Sequence, residues 1–518
     1  MNLKGKPLEI YLVDAGHPKD RAWVVHSESI DSKQLTGTLY AVPKKQMRTV
    51  REVEGGVTEQ LSKHRVILTL QTAYAQTLPD TLHASIPLDK VVKLEVFEYD
   101  KVRSDTNTGL TIVLSIIGGV IAILVLVLVI ALATKESCPF IYADNPDGRV
   151  FEGEIYSGAT YPQLERHDWL PMPDLRAHEG EYRIVMANKV REVQHTNLLE
   201  LAAIDHPEGS IVLFDKYGRL HTLAHLQEPR TAITLRGEDI RTQLLREDSL
   251  HFLGTPDNHT SQAEETILLE FQRPHNARFA KLVINAKNSL WLDYAHGLMV
   301  DEFGEYAGKI RQQFLKKSTA DLQAWMLRQN IPLSVWLETA PGDWERIDYF
   351  NLAGPMAIKR DVLPLDLSRV KGDPLRIKLS SGFLFWEIDY VGLDFSAAQR
   401  VVEHHLAPVA AIVQNGRDML AALSADDTLY YHQPNIGDEA SVRFPAPPLT
   451  PGLQRSLILH AKGHYQILRE PTPGRPSIRY LKQFQQPNAF PKFARSRWQA
   501  IARENKLVFE TDRPAEPD

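Results

Sequence analysis

The stretch FLFWEIDYVGLDF, Phe383 to Phe395, concentrates side chains able to do ligand chemistry. Strand alternation puts Glu387 and Asp389 on one face, about 6 to 7 Å apart, and Trp386, Ile388 and Tyr390 on the other. Two carboxylates at that spacing can hold a cation or accept hydrogen bonds from carbohydrate hydroxyls. The competing reading has Trp386 and Tyr390 filling a sandwich core while the acids are solvated or paired with arginines. Trp291, Trp336 and Trp344 form a second set, because indole faces stack on sugar rings where they line a groove and fill cores where they do not. Glu387, Asp389, Trp336 and Trp344 are therefore the candidate ligand-binding residues.

Other clusters stop short of a mechanism. Glu403, His404 and His405 need ligands from elsewhere, since adjacent histidines on a helix point about 100° apart, and a surface helix is the expectation for them. His221 and His225 lie in strand-like sequence, where a spacing of four does not bring them together as a helix would. Asp144, Asn145 and Asp147 carry oxygen atoms suited to calcium, but the glycine and distal glutamate of an EF-hand are absent, so DNPDG reads as a hairpin turn. GEYAGK, Gly304 to Lys309, is one residue short of a phosphate-cradling loop and lacks its following Ser or Thr. AHEGEY offers His178 and Glu179 without the second histidine of a zincin, and neither a G-x-S-x-G elbow nor a G-x-G-x-x-G fingerprint occurs. No catalytic residue, cofactor or metal site is assigned. An enzyme remains open as a glycan-active hydrolase, whose carboxylates can lie far apart in sequence.

The elements that must position these residues are mostly strands. With 43% hydrophobic and 24% charged residues the chain has the composition of globular domains. Its 59 basic and 65 acidic residues give no broad positive field, which argues against nucleic acid as a partner. Cys138 is the single cysteine, so an intramolecular disulfide framework and Cys-rich metal sites are excluded. Residues 1–104 read as a small β-rich, barrel-like domain through PLEIYLV, LTGTLYAV, HRVILTLQ and VVKLEVFEYD, with the charged stretch 44–60 as a solvated loop. Residues 136–260 read as a further β-rich domain, 261–400 as a β-sandwich with a helical insertion around 305–330, 401–505 as a β-rich C-terminal extension, and 506–518 as a disordered tail.

Between them, Gly109 to Thr134 carries no charged residue. As a helix it would rise roughly 39 Å, against a hydrocarbon core of about 30 Å, so residues 105–135 are expected to form one transmembrane helix with a polar lead. A buried core helix or strand is the competing reading. The first residues lack the apolar region of a secretory leader. Lys90, Lys93, Lys101 and Arg103 before the run, against Lys135 and Arg149 after it, favour a cytoplasmic N-terminus and an extracytoplasmic C-terminal region. Ser115 with Gly119, and Gly118 with Ala122, are small-residue pairs that would let two such helices form a homodimer.

The combination SCPFIY, GEIYSGATYPQLER, TNLLELAAIDHP and GRLHT, followed by FLFWEIDYVGLDFS and RSLILHAKGHY, resembles an uncharacterised family of bacterial single-pass envelope proteins over most of the chain after the apolar run. WERIDYFNLAGP, PLDLS and FWEIDYVGLDF are similar to the jelly-roll sandwiches of galactose-binding-like domains, without a sugar-binding motif. Residues 1–104 look similar to an Sm-like or PRC-type barrel. The resemblance implies location and fold: a membrane-anchored protein, with the lipid bilayer as one partner, whose β-sandwich ectodomain binds a glycan or protein or serves as a structural module. A signal-transducing anchor is a third reading beside the hydrolase.

Overall fold

In the computed structural model the described residues are 8–17, 21–30, 34–43, 64–87, 90–97, 111–115, 139–248, 251–254, 263–470 and 472–504. They are mainly β, 46% strand and 17% helix, and fall into two compact units: residues 1–133 with 249–251 and 496–518, and residues 134–248 with 252–495.

The first unit is built on one seven-stranded sheet. Its strands are β1 (Leu8–Asp14), β2 (Ala22–Ile30), β3 (Gln34–Ala41), β4 (His64–Leu70), β5 (Thr81–Pro87), β6 (Val91–Phe97) and β7 (Thr111–Ser115), in the order β5-β3-β2-β1-β4-β6-β7. Only β1 and β4 run parallel, from Leu8 opposite His64 to Asp14 opposite Leu70. Ile10, Leu12, Trp23, Val25, Leu39, Val66 and Leu68 are buried, and the Trp23 indole N–H donates to the Pro79 carbonyl at 2.9 Å, so the largest side chain brings its polar atom a partner. The four expected strands are present, joined by β2, β5 and β7. Closure into a barrel is not shown among the described residues.

The strand β7 corrects the reading of the apolar run. At Thr111–Ser115, including Ser115 of the small-residue pair, the chain is not helical but pairs antiparallel with β6, from Phe97 opposite Thr111 to Lys93 opposite Ser115. Thr111, Ile112 and Val113 are β-branched and suit a pleated surface, and β6 supplies hydrogen-bond partners that a lone helix start lacks. Residues 116–138, with the rest of the run and Cys138, lie outside the described residues. Among the described residues no helix is long and apolar enough to cross a membrane.

The second unit opens with β8 (Phe140–Asn145), β9 (Gly148–Glu154), β10 (Arg166–Pro171), β11 (Glu181–Ala187), β12 (Glu192–His206), β13 (Ile211–Phe214) and β14 (Leu220–Leu223). It continues through β15 (Leu226–Gln227), β16 (Thr231–Thr234), β17 (Glu264–Phe271), β18 (Phe279–Asn288), β19 (Leu333–Ala340), β20 (Asp343–Phe350), β21 (Lys359–Asp366), β22 (Leu375–Gly382) and β23 (Trp386–Asp394). It ends with β24 (Val402–Leu406), β25 (Ala410–Val413), β26 (Tyr431–Gln433), β27 (Glu439–Pro445) and β28 (Gln454–Ile467). The DNPDG turn joins β8 to β9 as expected, with Asn145 opposite Gly148.

These strands make two sandwich-like pairs of sheets. In the first pair, sheet I is β25-β27-β11-β8-β9 and sheet II is β10-β28-β12-β24, with β26 also on β12. Ile184, Met186, Val442 and Phe444 of sheet I and Leu199, Leu201, Leu457 and Leu459 of sheet II share one buried core. In the second pair, sheet III is β15-β23-β18-β21 and sheet IV is β16-β17-β22-β19-β20. Strand pairing crosses the sequence boundaries at 260 and 400: β15 and β16 join the second pair of sheets, while β24 to β28 return to complete the first. Alternation reveals a strand but not its partner, and the long β12–β28 ladder, Glu192 opposite Ile467 to His206 opposite Gln454, joins residues 248 to 275 positions apart.

The hairpin β13–β14 lies between the two sandwiches, each face buried. Val212 and Phe214 join Ala202, Ile204 and Ile458 of sheet II, whereas Leu213 and Leu223 join Val283 and Val362 of sheet III. Helices Ala307–Phe314 and Thr319–Arg328 occupy the expected insertion, the latter started by a Ser318–Asp321 capping box. Helix Leu290–Asp301 replaces the strand end read at NSLW, because Ser289 accepts a hydrogen bond from the Leu292 N–H and caps a new helix there. Helices Ile478–Lys482 and Ala489–Glu504 replace the β structure expected toward residue 505.

Candidate ligand-binding faces

Glu387 and Asp389 do share a strand, but no open surface. Every residue of β23 is buried, and each acid keeps only 3% of its exposure. The Lys287 ammonium, on the neighbouring β18, is 3.3 Å from Glu387 Oε2, so the acid is neutralised inside the sheet by a lysine, where sequence suggested an arginine or water. Trp386 and Tyr390 are buried too, and the Trp386 N–H donates to the Ile331 carbonyl at 2.9 Å. A strand covered on both faces cannot use alternation to separate core from solvent.

Trp291 is fully buried, whereas Trp336 and Trp344 are half-buried and lie together on sheet IV. The register places Ile233, Leu268, Lys378, Trp336 and Arg346 in one row across its five strands. Lys378 Nζ is 4.3 Å from the Trp336 ring centre and 5.0 Å from that of Trp344, and the Arg346 guanidinium is 5.9 Å from Trp336. The Trp336 N–H donates to Ser380 Oγ at 2.9 Å, fixing the indole orientation. Alongside, Arg376 binds Glu270 at 2.8 Å and Glu338 at 3.3 Å. Burial lowers the Lys378 pKa, although Glu264 opposes the shift. The face offers flat apolar rings bracketing a cationic donor. The structure thus brings Trp336 and Trp344 together and leaves Glu387 and Asp389 in the other sheet.

A third constellation escaped sequence reading. His404 and His405 lie on strand β24, not on a helix, so they alternate. His405 contacts Glu200 at 2.9 Å and Glu403 at 3.4 Å, and burial lowers its pKa less than these hydrogen bonds raise it. On the same sheet II, His432 of β26, His195 of β12 and His464 of β28 stand directly across from one another. His195 and His432 bring their Nδ1 atoms to 2.7 Å, and His195 stacks on His464 at 4.6 Å between ring centres. Glu165 accepts from His464 Nδ1–H at 3.0 Å and Tyr430 O–H at 2.8 Å, and pairs with Lys462 at 3.3 Å. Burial would raise the Glu165 pKa, but these donors hold it down at about 2. Burial, then the rings of His464 and His432, pushes His195 down to about 4. Farther along, His167 Nδ1 meets His460 Nε2 at 2.8 Å, and His460 stacks on Trp169 at 3.8 Å. The signal was present in HAKGH, whose His460, Lys462 and His464 recur every second residue on one strand face. Its partners come from strands remote in sequence. Among the described residues no group of three or more His, Cys, Asp or Glu side chains is placed to hold a metal ion.

The remaining near-misses are engaged structurally. Asp144 binds Arg149 at 3.0 Å, Asn145 donates to the Asp174 carbonyl at 2.8 Å, and His221 contacts Asp215 at 2.9 Å. Gly304–Lys309 runs through a turn into the helix Ala307–Phe314. A small pocket of about 10 Å³, room for roughly one water molecule, is lined by Lys216, Tyr217, Asp348, Tyr349 and Asp361, among others. Burial pushes Asp361 up to about 6, yet Lys216 and the Tyr217 hydroxyl are both bonded to Asp348. A pocket of that size is far too small for a small-molecule ligand.

No family model matches the chain, and no curated protein matches it. A chain from the atomic structure of Sulfolobus turreted icosahedral virus aligns over 59% of this chain and 91% of its own at 8% identity, with a TM-score of 0.13. A superposition that poor carries no argument about fold or function.

Proposed function

We propose that the chain is a membrane-anchored envelope protein whose second sandwich is a glycan-binding module. The observation that carries the reading is the half-exposed pair Trp336 and Trp344 bracketing Lys378 on the outside of sheet IV. Indole faces pack against the C–H faces of sugars, and an ammonium between them donates to hydroxyls or carboxylates. Burial of Glu387 beside Lys287 takes that acid out of reach of a carbohydrate ligand, which leaves the tryptophan face as the better supported of the two candidate sets. Apart from the β19–β20 hairpin, successive strands from β17 to β23 pass back and forth between the two sheets, which is consistent with the galactose-binding-like resemblance. For the anchor, the uncharged residues 116–134 that follow β7 would rise about 28 Å as a helix, close to the hydrocarbon thickness, and the preceding basic residues favour a cytoplasmic N-terminus.

The test is a glycan array probed with the full chain in detergent, followed by titration of the best ligand. Trp336→Ala and Trp344→Ala are each expected to weaken binding about fivefold, the equivalent of about 1 kcal/mol for one lost stacking face. Equal affinity in both variants refutes the site. Recovery of the chain in the soluble fraction of lysed cells, without detergent, refutes the anchor.

A further inference from the structure

We propose that His195 and His432 form a two-nitrogen site for a divalent transition-metal ion of the copper and zinc class on the outer face of sheet II. The two residues are direct partners across β12 and β26, and their Nδ1 atoms lie 2.7 Å apart with the rings at 80° to each other. At that separation one Nδ1–H donates to the lone pair of the other, so a single proton occupies the space between two basic nitrogens. Each lone pair lies in its own ring plane, and steeply inclined planes let both point at one external position. A metal ion at about 2.0 to 2.1 Å from each nitrogen replaces that proton once the nitrogens separate to roughly 3.3 Å, the tetrahedral chord. Small side-chain rotations supply the difference, and the exposed His432 gives the ion and its remaining waters a way in.

Both rings are backed by others tied to the same carboxylate. His464 stacks on His195 at 4.6 Å and 20°, and its Nδ1–H is held by Glu165. Tyr430 stacks on His432 at 6.0 Å and 24°, and its hydroxyl donates to the same Glu165 oxygen. Such outer support sets ring orientation in metal sites. With two protein nitrogens and waters the site is open, and copper(II) is favoured over zinc by the general affinity order.

The second close pair supplies an internal control. His167 and His460 approach as near, at 2.8 Å, but their rings are stacked at 28°, and His460 is also held flat against Trp169 at 5°. Held against Trp169, the His460 ring is not free to turn to the wider nitrogen–nitrogen separation that one ion requires.

The experiment is equilibrium dialysis of the untagged full chain against copper(II) or zinc(II) at neutral pH, with copper(II) electron paramagnetic resonance to count nitrogen ligands. One ion per chain and a two-nitrogen spectrum are expected. His195→Ala and His432→Gln should each weaken binding about tenfold or more, while His167→Ala and His460→Ala leave it unchanged. His432→Gln is at an exposed position, so an unchanged metal-free melting temperature shows that loss of binding is not loss of fold. No ion bound by the unsubstituted chain, undiminished binding in His432→Gln, or a loss that follows His167→Ala overturns the assignment.

Discussion

Replacing Lys287 by methionine tests whether Glu387 belongs to the interior or to a ligand site. The side chains of Lys287 and Glu387 retain 3% and 4% of their exposure, with the charges 3.3 Å apart. At an effective dielectric of about 20 their attraction is about 5 kcal/mol, and removing one member of such a buried pair typically costs about 3 to 5 kcal/mol because the other charge stays desolvated. Lys287→Met should therefore lower the unfolding free energy of the second sandwich by about 3 kcal/mol or more. Glu387→Leu on top of it removes the stranded charge and should return most of that loss, a coupling the double-mutant cycle reads directly. Denaturant melts followed by tryptophan fluorescence supply the midpoints, and an unchanged slope shows that the same surface is exposed on unfolding. A loss below about 1 kcal/mol in Lys287→Met would mean that Glu387 reaches water, as surface ion pairs do, and the exclusion of that acid from ligand chemistry would fail.

Other expectations follow from single residues. His195 sits near pKa 4 when folded and near 6.5 when unfolded, so between those values the unfolded chain binds more protons; stability should fall as pH drops from 6.5 toward 4, and His195→Gln should flatten that slope in melting temperature. Ser289 caps the helix Leu290–Asp301 and also donates to the Leu384 carbonyl, so Ser289→Ala should cost about 1 to 2 kcal/mol in denaturant melts, whereas Ser318→Ala at the exposed cap of Thr319–Arg328 should cost less.

Which features were legible depended on whether the physics was local. A strand facing water on one side writes its alternation into the sequence, and β11, β17 and β19 were readable on that basis. Turn chemistry was equally local, and Asn145 to Gly148 folded as the hairpin it spelled. By contrast β23 is buried on both faces, so the period that separated Glu387 from Trp386 carried no information about solvent. Thr111–Ser115 belongs to an apolar run long enough for a helix, and only the partner strand β6 tips it to a strand. The histidine row was half-written: HAKGH shows one face of β28, but His195 lies 269 positions before His464 and His432 belongs to a third strand. Cross-strand proximity is a property of register, and register between remote strands is set by the whole sheet.

The insertion of one sandwich into the other has a physical consequence for the two candidate faces. The chain leaves sheet II after β12 and returns to it at β24, so the second sandwich is attached through two neighbouring crossings. Asp394, fully buried at the end of β23, accepts backbone N–H bonds from Ala224 at 2.9 Å and His225 at 2.8 Å on the outgoing segment. Lys281 closes the same knot, reaching Asp394 Oδ1 at 2.8 Å, the Thr222 carbonyl at 2.8 Å and the Ser396 carbonyl at 2.7 Å. One carboxylate and one ammonium thereby bind the outgoing strand, the returning strand and the edge of β18, while the β13–β14 hairpin fills the space beside them with apolar side chains. A single linker would let an inserted domain swing, but two crossings fastened to each other hold sheet II against sheet III. The tryptophans of sheet IV and the histidines of sheet II are therefore presented in a fixed mutual arrangement, although each is assembled from strands far apart in the chain.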